Sequence, residues 1–317
     1  MRSIDELYMR RCIQLAKNGL HNAPPNPMVG AVIVHGDRII GEGYHVRCGE
    51  GHAEVNAFAS VKPEDEHLLP ESTIYVSLEP CAHYGKTPPC ANLIVEKGVR
   101  RCVVGCIDPF AKVQGRGVEI IRSAGIEVTV GVLEEECKQL NKRFFTYHQH
   151  HRPFITLKWA QSKDGFIAYK DQTPSKPLHI SNEFTQVICH KRRAEHQAIL
   201  VGRNTVIADN PSLTTRLWYG NNPLRCVIGN EEQLKSMKTP DGNDYKLLKT
   251  GAGTLFVSSI DQLLKKLYEL GIQSLLVEGG SKLLQSFIDR GLWDEAYVET
   301  GNIIIGEGIA SPTLKTI

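Results

Sequence analysis

The sequence lacks any apolar run approaching the roughly 20 residues that a membrane-spanning helix needs. Its first residues, Met1-Arg2-Ser3-Ile4-Asp5-Glu6-Leu7, carry acids early and contain no apolar core of signal-peptide type. Neither sign of charge is in surplus: Lys plus Arg number 37, Asp plus Glu 35, and the formal net charge is +2. This excludes a strongly basic nucleic-acid coat, and nothing points to nucleic acid or a membrane surface as a partner. The cysteine count is odd, with nine thiols spread over 317 residues. Such spacing argues against a secreted disulfide scaffold and for reduced thiols in a cytoplasm, some of them available to a metal. Internal repeats and long low-complexity tracts are missing as well. What remains is an ordinary globular balance, 41% hydrophobic and 23% charged. The length suits two domains at roughly 150 residues each.

Along the chain, residues 5–18 have helical spacing, and a Pro- and Asn-rich loop, Asn22-Ala23-Pro24-Pro25-Asn26-Pro27, follows. Strands are expected at 29–34 and 38–45 (a hairpin turning at His35-Gly36-Asp37), 73–78, 102–106 and 126–130. Helices are expected at 90–97 with a stop at Gly98, at 117–124 and at 134–145. The pattern is α/β with one antiparallel edge. The polar stretch 147–153 breaks the rhythm and ends in a proline, so the domain boundary is placed there. The second half restarts with strands at 154–160, 198–201, 224–228, 254–257, 274–277 and 295–300, and helices at 181–194, 260–270 and 280–289.

The strongest chemical signal is His52-Ala53-Glu54, followed by Pro80-Cys81 and Pro88-Pro89-Cys90. One His and two Cys thiolates supply three zinc ligands and leave the fourth tetrahedral position open, the mark of a catalytic site. An open position lowers the pKa of a bound water from 15.7 towards about 7. Glu54, two positions past His52, is placed to take a proton from that water and pass it to a leaving amine. Both cysteines are expected where helices begin, which favours their thiolate form. The arrangement matches that of zinc nucleobase deaminases, H-x-E with P-C and a second Cys, except that there only two residues separate the cysteines. Here the loop Ala82-His83-Tyr84-Gly85-Lys86-Thr87-Pro88-Pro89 intervenes. The competing view is a chance H-x-E beside inert buried thiols. His148, His150 and His151 lie in the expected linker, and Cys102 and Cys106 are expected in the core rather than on a metal.

These residues carry a family resemblance. Asn26-Pro27-x-Val29-Gly30, Gly41-Glu42-Gly43-Tyr44-His45, His52-Ala53-Glu54, Leu78-Glu79-Pro80-Cys81 and Gly85-Lys86-Thr87-Pro88-Pro89-Cys90 resemble the bifunctional riboflavin-biosynthesis deaminase/reductases. Asp108-Pro109 and Gly115-Arg116-Gly117 extend the likeness. So do Leu157-Lys158-x-Ala160-x-Ser162-x-Asp164-Gly165, Val201-Gly202-x-x-Thr205-Val206, Asp209-Asn210-Pro211-x-Leu213-x-x-Arg216 and Val277-Glu278-Gly279-Gly280 in the second half.

The resemblance implies a cytidine-deaminase-like three-layer αβα domain over residues 1–147 and a dihydrofolate-reductase-like α/β domain over 152–317. It implies zinc-dependent loss of the 2-amino group from a diaminopyrimidinone bearing a ribosylamino 5′-phosphate. NADPH-dependent reduction of the ribosyl to a ribityl chain would follow. By carry-over, His52, Cys81 and Cys90 hold Zn2+, Glu54 is the proton shuttle, and Asn26 and His45 line the pyrimidine pocket. Gln161, His179, Ser181, Thr205, Asp209 and Asn230 fall beside NADPH. The turn Gly280, Ser281, Lys282, Leu283, Leu284, Gln285 and Ser286 would face its phosphate. Arg193, Leu213, Arg216 and Glu278 fall on substrate positions. Physical chemistry supports part of this, since Glu278-Gly279-Gly280-Ser281 ends an apolar strand and opens a helix, a natural anion site. Arg193 and Arg216 suit a sugar phosphate as bidentate forks.

Three departures from the family pattern stand out. His179, in Ser175-Lys176-Pro177-Leu178-His179-Ile180-Ser181, occupies the place of the family's cofactor-stacking Trp. Lys163 replaces an apolar residue before Asp164-Gly165. The chain stops at Ile317, soon after Gly306-Glu307-Gly308, where family members continue to further strands; the last part of the reductase sheet is then expected to be missing. Two alternatives stay open at this point: another zinc aminohydrolase with a passive binding domain, and a zinc-stabilised interaction module. A homo-oligomer is equally left open.

Overall fold

A computed structural model describes residues 3–83, 88–110, 114–171, 178–249 and 253–314. Residues 84–87 of the inter-cysteine loop and 172–177, with Ser175 and Pro177, lie outside them. The chain forms two compact units, Met1–His151 and Arg152–Ile317.

The first unit is built on strands β1 (Gly30–His35), β2 (Arg38–Tyr44), β3 (Thr73–Leu78), β4 (Arg101–Cys106) and β5 (Glu127–Val130), in the order β2-β1-β3-β4-β5. Helices α1 (Ile4–Ala16), α2 (Ala53–Ala59), α3 (Cys90–Lys97), α4 (Arg116–Ser123), α5 (Glu134–Leu140) and α6 (Lys142–His150) accompany them. Ala31, Ile33, Ile74, Val76 and Val104 pack with Ala57, Ile94 and Ile121 of α2, α3 and α4. Their alternate neighbours Val32, Val34, Tyr75 and Val103 pack with Met9, Cys12 and Cys137 of α1 and α5. A sheet covered on both faces needs both sets of alternating side chains to be apolar, which is why these strands read as continuous hydrophobic runs. The three-layer αβα expectation is met.

Four details differ from the sequence expectation. The antiparallel strand is β1, second in the sheet and antiparallel to both β2 and β3, rather than an edge. The expected helix 134–145 divides at Asn141, whose side chain accepts from Met28 N and donates to Met28 O, both at 2.8 Å. That long-range clamp competes successfully with helix continuation. The polar stretch 147–153 is helical as far as His150, with His151 left-handed (φ 53) as its cap. Its polarity hid an aromatic contact face: His148 stacks edge-on against Phe144 at 4.4 Å and lies 5.1 Å from Phe110. Cys81 follows β3 in a loop and not at a helix start, whereas Cys90 does open α3. Gly98 ends α3 with φ 64, as its position predicts.

The Gly41-Glu42-Gly43 run has a packing cause. A Cβ on Gly43 would lie 2.5 Å from Ala57 N, and one on Gly41 2.6 Å from Ala57 O. β2 therefore rests directly on the backbone of α2, the helix that follows His52.

The second unit carries strands β6 (Phe154–Gln161), β7 (Phe166–Ala168), β8 (Ala198–Gly202), β9 (Leu224–Ile228), β10 (Leu255–Val257), β11 (Ser274–Val277), β12 (Glu295–Thr300) and β13 (Ile309–Ala310). Its helices are α7 (Glu183–Ala194), α8 (Arg203–Asp209), α9 (Glu231–Lys235), α10 (Lys246–Lys249), α11 (Ile260–Glu269) and α12 (Ser281–Asp289). Six strands pair in parallel in the order β10-β9-β8-β11-β6-β12, and β7 pairs with β13. Ser162-Lys163-Asp164-Gly165 is the turn from β6 to β7, with Gly165 at φ 84. Asp164 accepts from Ser162 Oγ and from the N–H groups of Ile305 and Gly306, which holds its carboxyl down at about 2. The short helices α8, α9 and α10 and the pair β7/β13 are too brief to show a periodicity in the sequence.

The helical course of α6 makes a prediction about fragments. A chain ending at Tyr147 loses the His148 contacts, at roughly 0.5–1.5 kcal/mol per aromatic pair. A fragment 1–151 is expected to melt a few degrees above a fragment 1–147, in a calorimetric comparison of the two. Equal melting temperatures would mean that α6 adds nothing to the first unit beyond Tyr147.

Candidate active sites

In the first unit, α2 begins after His52, the chain leaves β3 as Glu79-Pro80-Cys81, and α3 begins at Cys90. His52 Nδ1 lies 3.3 Å from Cys90 Sγ and 3.6 Å from Cys81 Sγ, and all three ligand atoms fall within 4.8 Å of one another. Tetrahedral bonds of about 2.0–2.3 Å to N and S put ligand atoms at separations of this order. Among the described residues this is the one His, Cys or carboxylate group so gathered. The donor set fits zinc. Cys81 is the readier thiolate: the Cys90 thiol, His52 and the Cys90 N–H all donate to its sulfur and hold its pKa well below the ordinary value. His52 in turn is raised by that sulfur. Glu54, in the first turn of α2, is 3% exposed, and burial pushes its carboxyl up to about 7. A nearby dication would pull it down again.

The loop carrying Cys81 is anchored by a residue that the sequence analysis quoted without a role. The buried Glu79 carboxylate accepts from the backbone N–H groups of Asp108 (3.3 Å), Gly115 (2.9 Å), Gly117 (2.9 Å) and Val118 (3.3 Å). These lie after β4 and in the first turn of α4, where free N–H groups and the helix dipole favour an anion. A Cβ on Gly117 would sit 2.0 Å from Pro80 O, so only glycine permits this approach. The sequence signal was present, since a charged residue between Leu78 and Pro80 ends an otherwise apolar strand. Asp108 is raised to about 6, mainly by burial.

Asn26 and His45 meet: Asn26 Nδ2 is 3.1 Å from His45 Nε2, and His45 Nδ1 is 3.1 Å from Gly51 O. A carbonyl only accepts, so Nδ1 carries the proton and Nε2 accepts from the amide. Burial lowers the His45 pKa, consistent with a neutral ring, and its ring packs edge-on to His52 at 5.3 Å. The Asn141 clamp on Met28 fixes the loop that presents Asn26.

In the second unit a cleft of about 450 Å³ opens where β6, β8 and β11 end. It gathers His179, Ser181, Thr205, Asp209, Glu278, Gly280 and Ser281. Lys158 and Gln186 also line it, and the sequence analysis gave neither a role. Thr205 and Asp209 ride on α8. The N-cap of α12 is Gly280, with no side-chain cap, so the first N–H groups of the helix are left for a ligand. Glu278 pairs with the largely buried Arg193 at 2.6 Å and 3.0 Å. Burial alone would raise its carboxyl, but the guanidinium reverses this and holds it below the ordinary value.

The other expected residues are not among those lining this cleft. Gln161 Oε1 accepts from Trp159 Nε1 at 2.9 Å, and Asn230 caps α9. Leu213, at φ 53, and Leu284 are buried in the core. Lys282, second in α12, is exposed, Leu283 packs on Gly279, Gln285 accepts from Thr313 N, and Ser286 Oγ donates to Lys282 O. Arg216 is exposed, with Nη1 3.3 Å from Thr214 Oγ1.

Comparison with known proteins agrees in both halves. The cytidine and deoxycytidylate deaminase zinc-binding region matches residues 2–106, and the RibD C-terminal domain matches 153–315. Riboflavin biosynthesis protein RibD of Aquifex aeolicus is 39% identical, over 98% of this chain and 90% of that protein. Its Escherichia coli counterpart is 33% identical over 95% and 89%. The structure of a diaminohydroxyphosphoribosylaminopyrimidine deaminase/5-amino-6-(5-phosphoribosylamino)uracil reductase from Thermotoga maritima has a TM-score of 0.83 at 39% identity, covering 96% of this chain and 89% of that one. For Acinetobacter baumannii RibD the TM-score is 0.86 at 32% identity, covering 99% and 91%. With a deaminase-like zinc unit and a reductase unit joined in one chain, and relatives alike over nearly all of it, this protein belongs to the RibD family of bifunctional riboflavin-biosynthesis deaminase/reductases.

Proposed function

We propose a division of labour among named residues for the two reactions of this enzyme. The substrate is a diaminopyrimidinone with a ribosylamino 5′-phosphate; the first unit deaminates it, and the second reduces the ribosyl to ribityl with NADPH. His52, Cys81 and Cys90 hold zinc, and the single observation that carries this is the convergence of their three ligand atoms beside the buried Glu54. The chemistry the ion supplies when bound is a water made nucleophilic at neutral pH. Glu54 takes a proton from that water as its oxygen attacks C2, then delivers the proton to the departing amine, which leaves as ammonia. The Asn26 amide, turned by His45 Nε2, offers Oδ1 to an N–H of the pyrimidine. Glu79 positions Cys81 without touching substrate.

In the second unit, the open N–H groups at the start of α12 receive a phosphate of the dinucleotide, and Thr205 and Asp209 face it from α8. Arg216, at the exposed end of its loop, reads the sugar phosphate. Lys158 brings a positive charge to the cleft, beside the Arg193–Glu278 pair. We place the enzyme in the cytoplasm. Two facts support this: none of the described helices is long and apolar enough to cross a membrane, and all nine cysteines are free thiols.

Two measurements test these assignments. Glu54→Gln is expected to lower deaminase kcat by about 10²–10⁴-fold while elemental analysis still finds zinc. Cys81→Ser and Cys90→Ser are expected to lose the metal; full zinc in both would remove them as ligands.

For the reductase, a Cβ at Gly280 meets only Thr205 Oγ1, at 3.5 Å, and φ there is an ordinary −71. Gly280→Val is therefore expected to fold, to retain zinc-dependent ammonia release, and to weaken NADPH binding by about tenfold or more, read by cofactor fluorescence. Normal NADPH binding by that variant would place the cofactor elsewhere.

A further inference from the structure

Asn56 has no part in the roles assigned above. It lies in the middle of α2, shortly past His52 and Glu54. Asparagine is a poorer helix former than alanine, and in so short a helix that cost calls for an offsetting contact. The contact is made by its amide: Nδ2 lies 2.8 Å from Tyr44 O and 3.2 Å from Gly51 O. Carbonyls only accept, so the amide nitrogen faces both and donates one hydrogen to each. Two glycines make room for it. A Cβ on Gly43 would lie 2.8 Å from Asn56 Cβ, and one on Gly51 3.0 Å from Asn56 Oδ1.

The Gly51 carbonyl is shared with His45. Nδ1 of that buried ring lies 3.1 Å from Gly51 O, and its Nε2 lies 3.1 Å from Asn26 Nδ2. One carbonyl, on the residue before His52, therefore receives both Asn56 and His45.

That carbonyl decides the direction of every bond beyond it. Facing an acceptor, His45 Nδ1 must carry the proton. Nε2 must then accept, so the Asn26 amide turns its nitrogen to the ring and keeps Oδ1 for a ligand. The two orientations of an amide have nearly the same shape, and only its partners select between them. With the Gly51 carbonyl turned away, His45 would be free to hold its proton on either nitrogen. Asn26 would then be free to present Nδ2 where the pyrimidine N–H needs an acceptor.

We propose that Asn56 is a positioning residue of the deaminase: by holding the Gly51 carbonyl toward His45, it fixes the polarity of the Asn26–His45 pair that reads the pyrimidine. This rests on the assignment of Asn26 Oδ1 to a pyrimidine N–H. The Tyr44 bond pins the residue before His45, and the Gly51 bond pins the residue before His52. The recognition pair and the zinc ligand are thus held in register from one point on α2. Asn56 acts through that pair and carries no step of the chemistry.

Ammonia release by the full-length, zinc-loaded enzyme tests the inference. Asn56→Ala keeps the Cβ that packs on Gly43, suits a helix and removes the donor. It is expected to raise the deaminase KM for the diaminopyrimidinone phosphate about tenfold, with kcat within about threefold and zinc content unchanged. Asn56→Asp keeps the outline of the amide but sets an acceptor before the same two carbonyls, and is expected to show the same split, at least as large. Asn26→Ala is the reference and should raise KM by at least as much. Because Asn56 works through Asn26, the double variant Asn26→Ala/Asn56→Ala is expected to match Asn26→Ala in KM within about twofold. If Asn26→Ala leaves KM unchanged, the pyrimidine assignment falls and the inference falls with it. If Asn26→Ala raises KM and neither Asn56 variant does, only the inference falls. Full additivity in the double variant, or loss of zinc and kcat along with KM in both Asn56 variants, would show a structural role and overturn it too.

Discussion

A parallel strand cannot turn straight back into its neighbour, so the chain must leave every such strand at the same rim and return by a crossover. This constraint places the chemistry of both units. The end of β3 delivers Glu79 and Cys81, and the end of β4 delivers Asp108. In the other unit, the ends of β8 and β11 deliver α8 and the Glu278-Gly279-Gly280 turn. Apolar strand interiors, buried on both faces, make the frame rigid, and the polar residue just past each strand is free to serve a ligand.

Charge buried at those rims has to be paired, and each unit does so differently. Glu79 is met by four backbone N–H groups, two of them at a helix start. Backbone donors cannot rotate away, so the carboxylate becomes a fixed rivet for the Cys81 loop. Glu278 is held by the Arg193 fork instead. Removing one member of a buried pair of that kind costs about 3–5 kcal/mol, because the other charge is left stranded. Arg193 is thereby committed to Glu278 and to the Thr214 carbonyl, whereas Arg216 is exposed.

Much of this was legible in the residues. The strands at 73–78, 224–228, 274–277 and 295–300 match their expected bounds because short runs rich in apolar and β-branched residues, bounded by turn residues, have few other uses. His52, Cys81 and Cys90 were legible because metal chemistry demands particular donor atoms. What stayed hidden depends on contacts far along the chain. Asn141 breaks a helix in order to clamp Met28, 113 residues away, and no local signal marks it. Residues 147–150 looked like a linker because polarity was weighed and the His148 contacts with Phe110 and Phe144 could not be. Likewise the Thr214 carbonyl receives Arg193 Nη1 from 21 residues away, a contact that no local signal marks.

Helix starts serve opposite ends in the two units. In the first, the helix that begins at Cys90 turns its positive end toward a cation site, which looks unfavourable until the ligands are counted. The first N–H of that helix, on Cys90, donates to the Cys81 sulfur at 3.3 Å, so the positive end favours the Cys81 thiolate, the form that zinc binds. That thiolate outweighs half a unit of positive charge at a helix end, which leaves the site receptive to a dication. In the second unit, Gly280 caps α12 and, among the described residues, no side-chain cap hydrogen bond is made there. Under the proposed function, that positive end is where an anion brought by the ligand would sit. What distinguishes the two helix starts is therefore what stands at them, a cysteine at the first position of α3 and, before α12, a glycine N-cap with no side chain to become an anion.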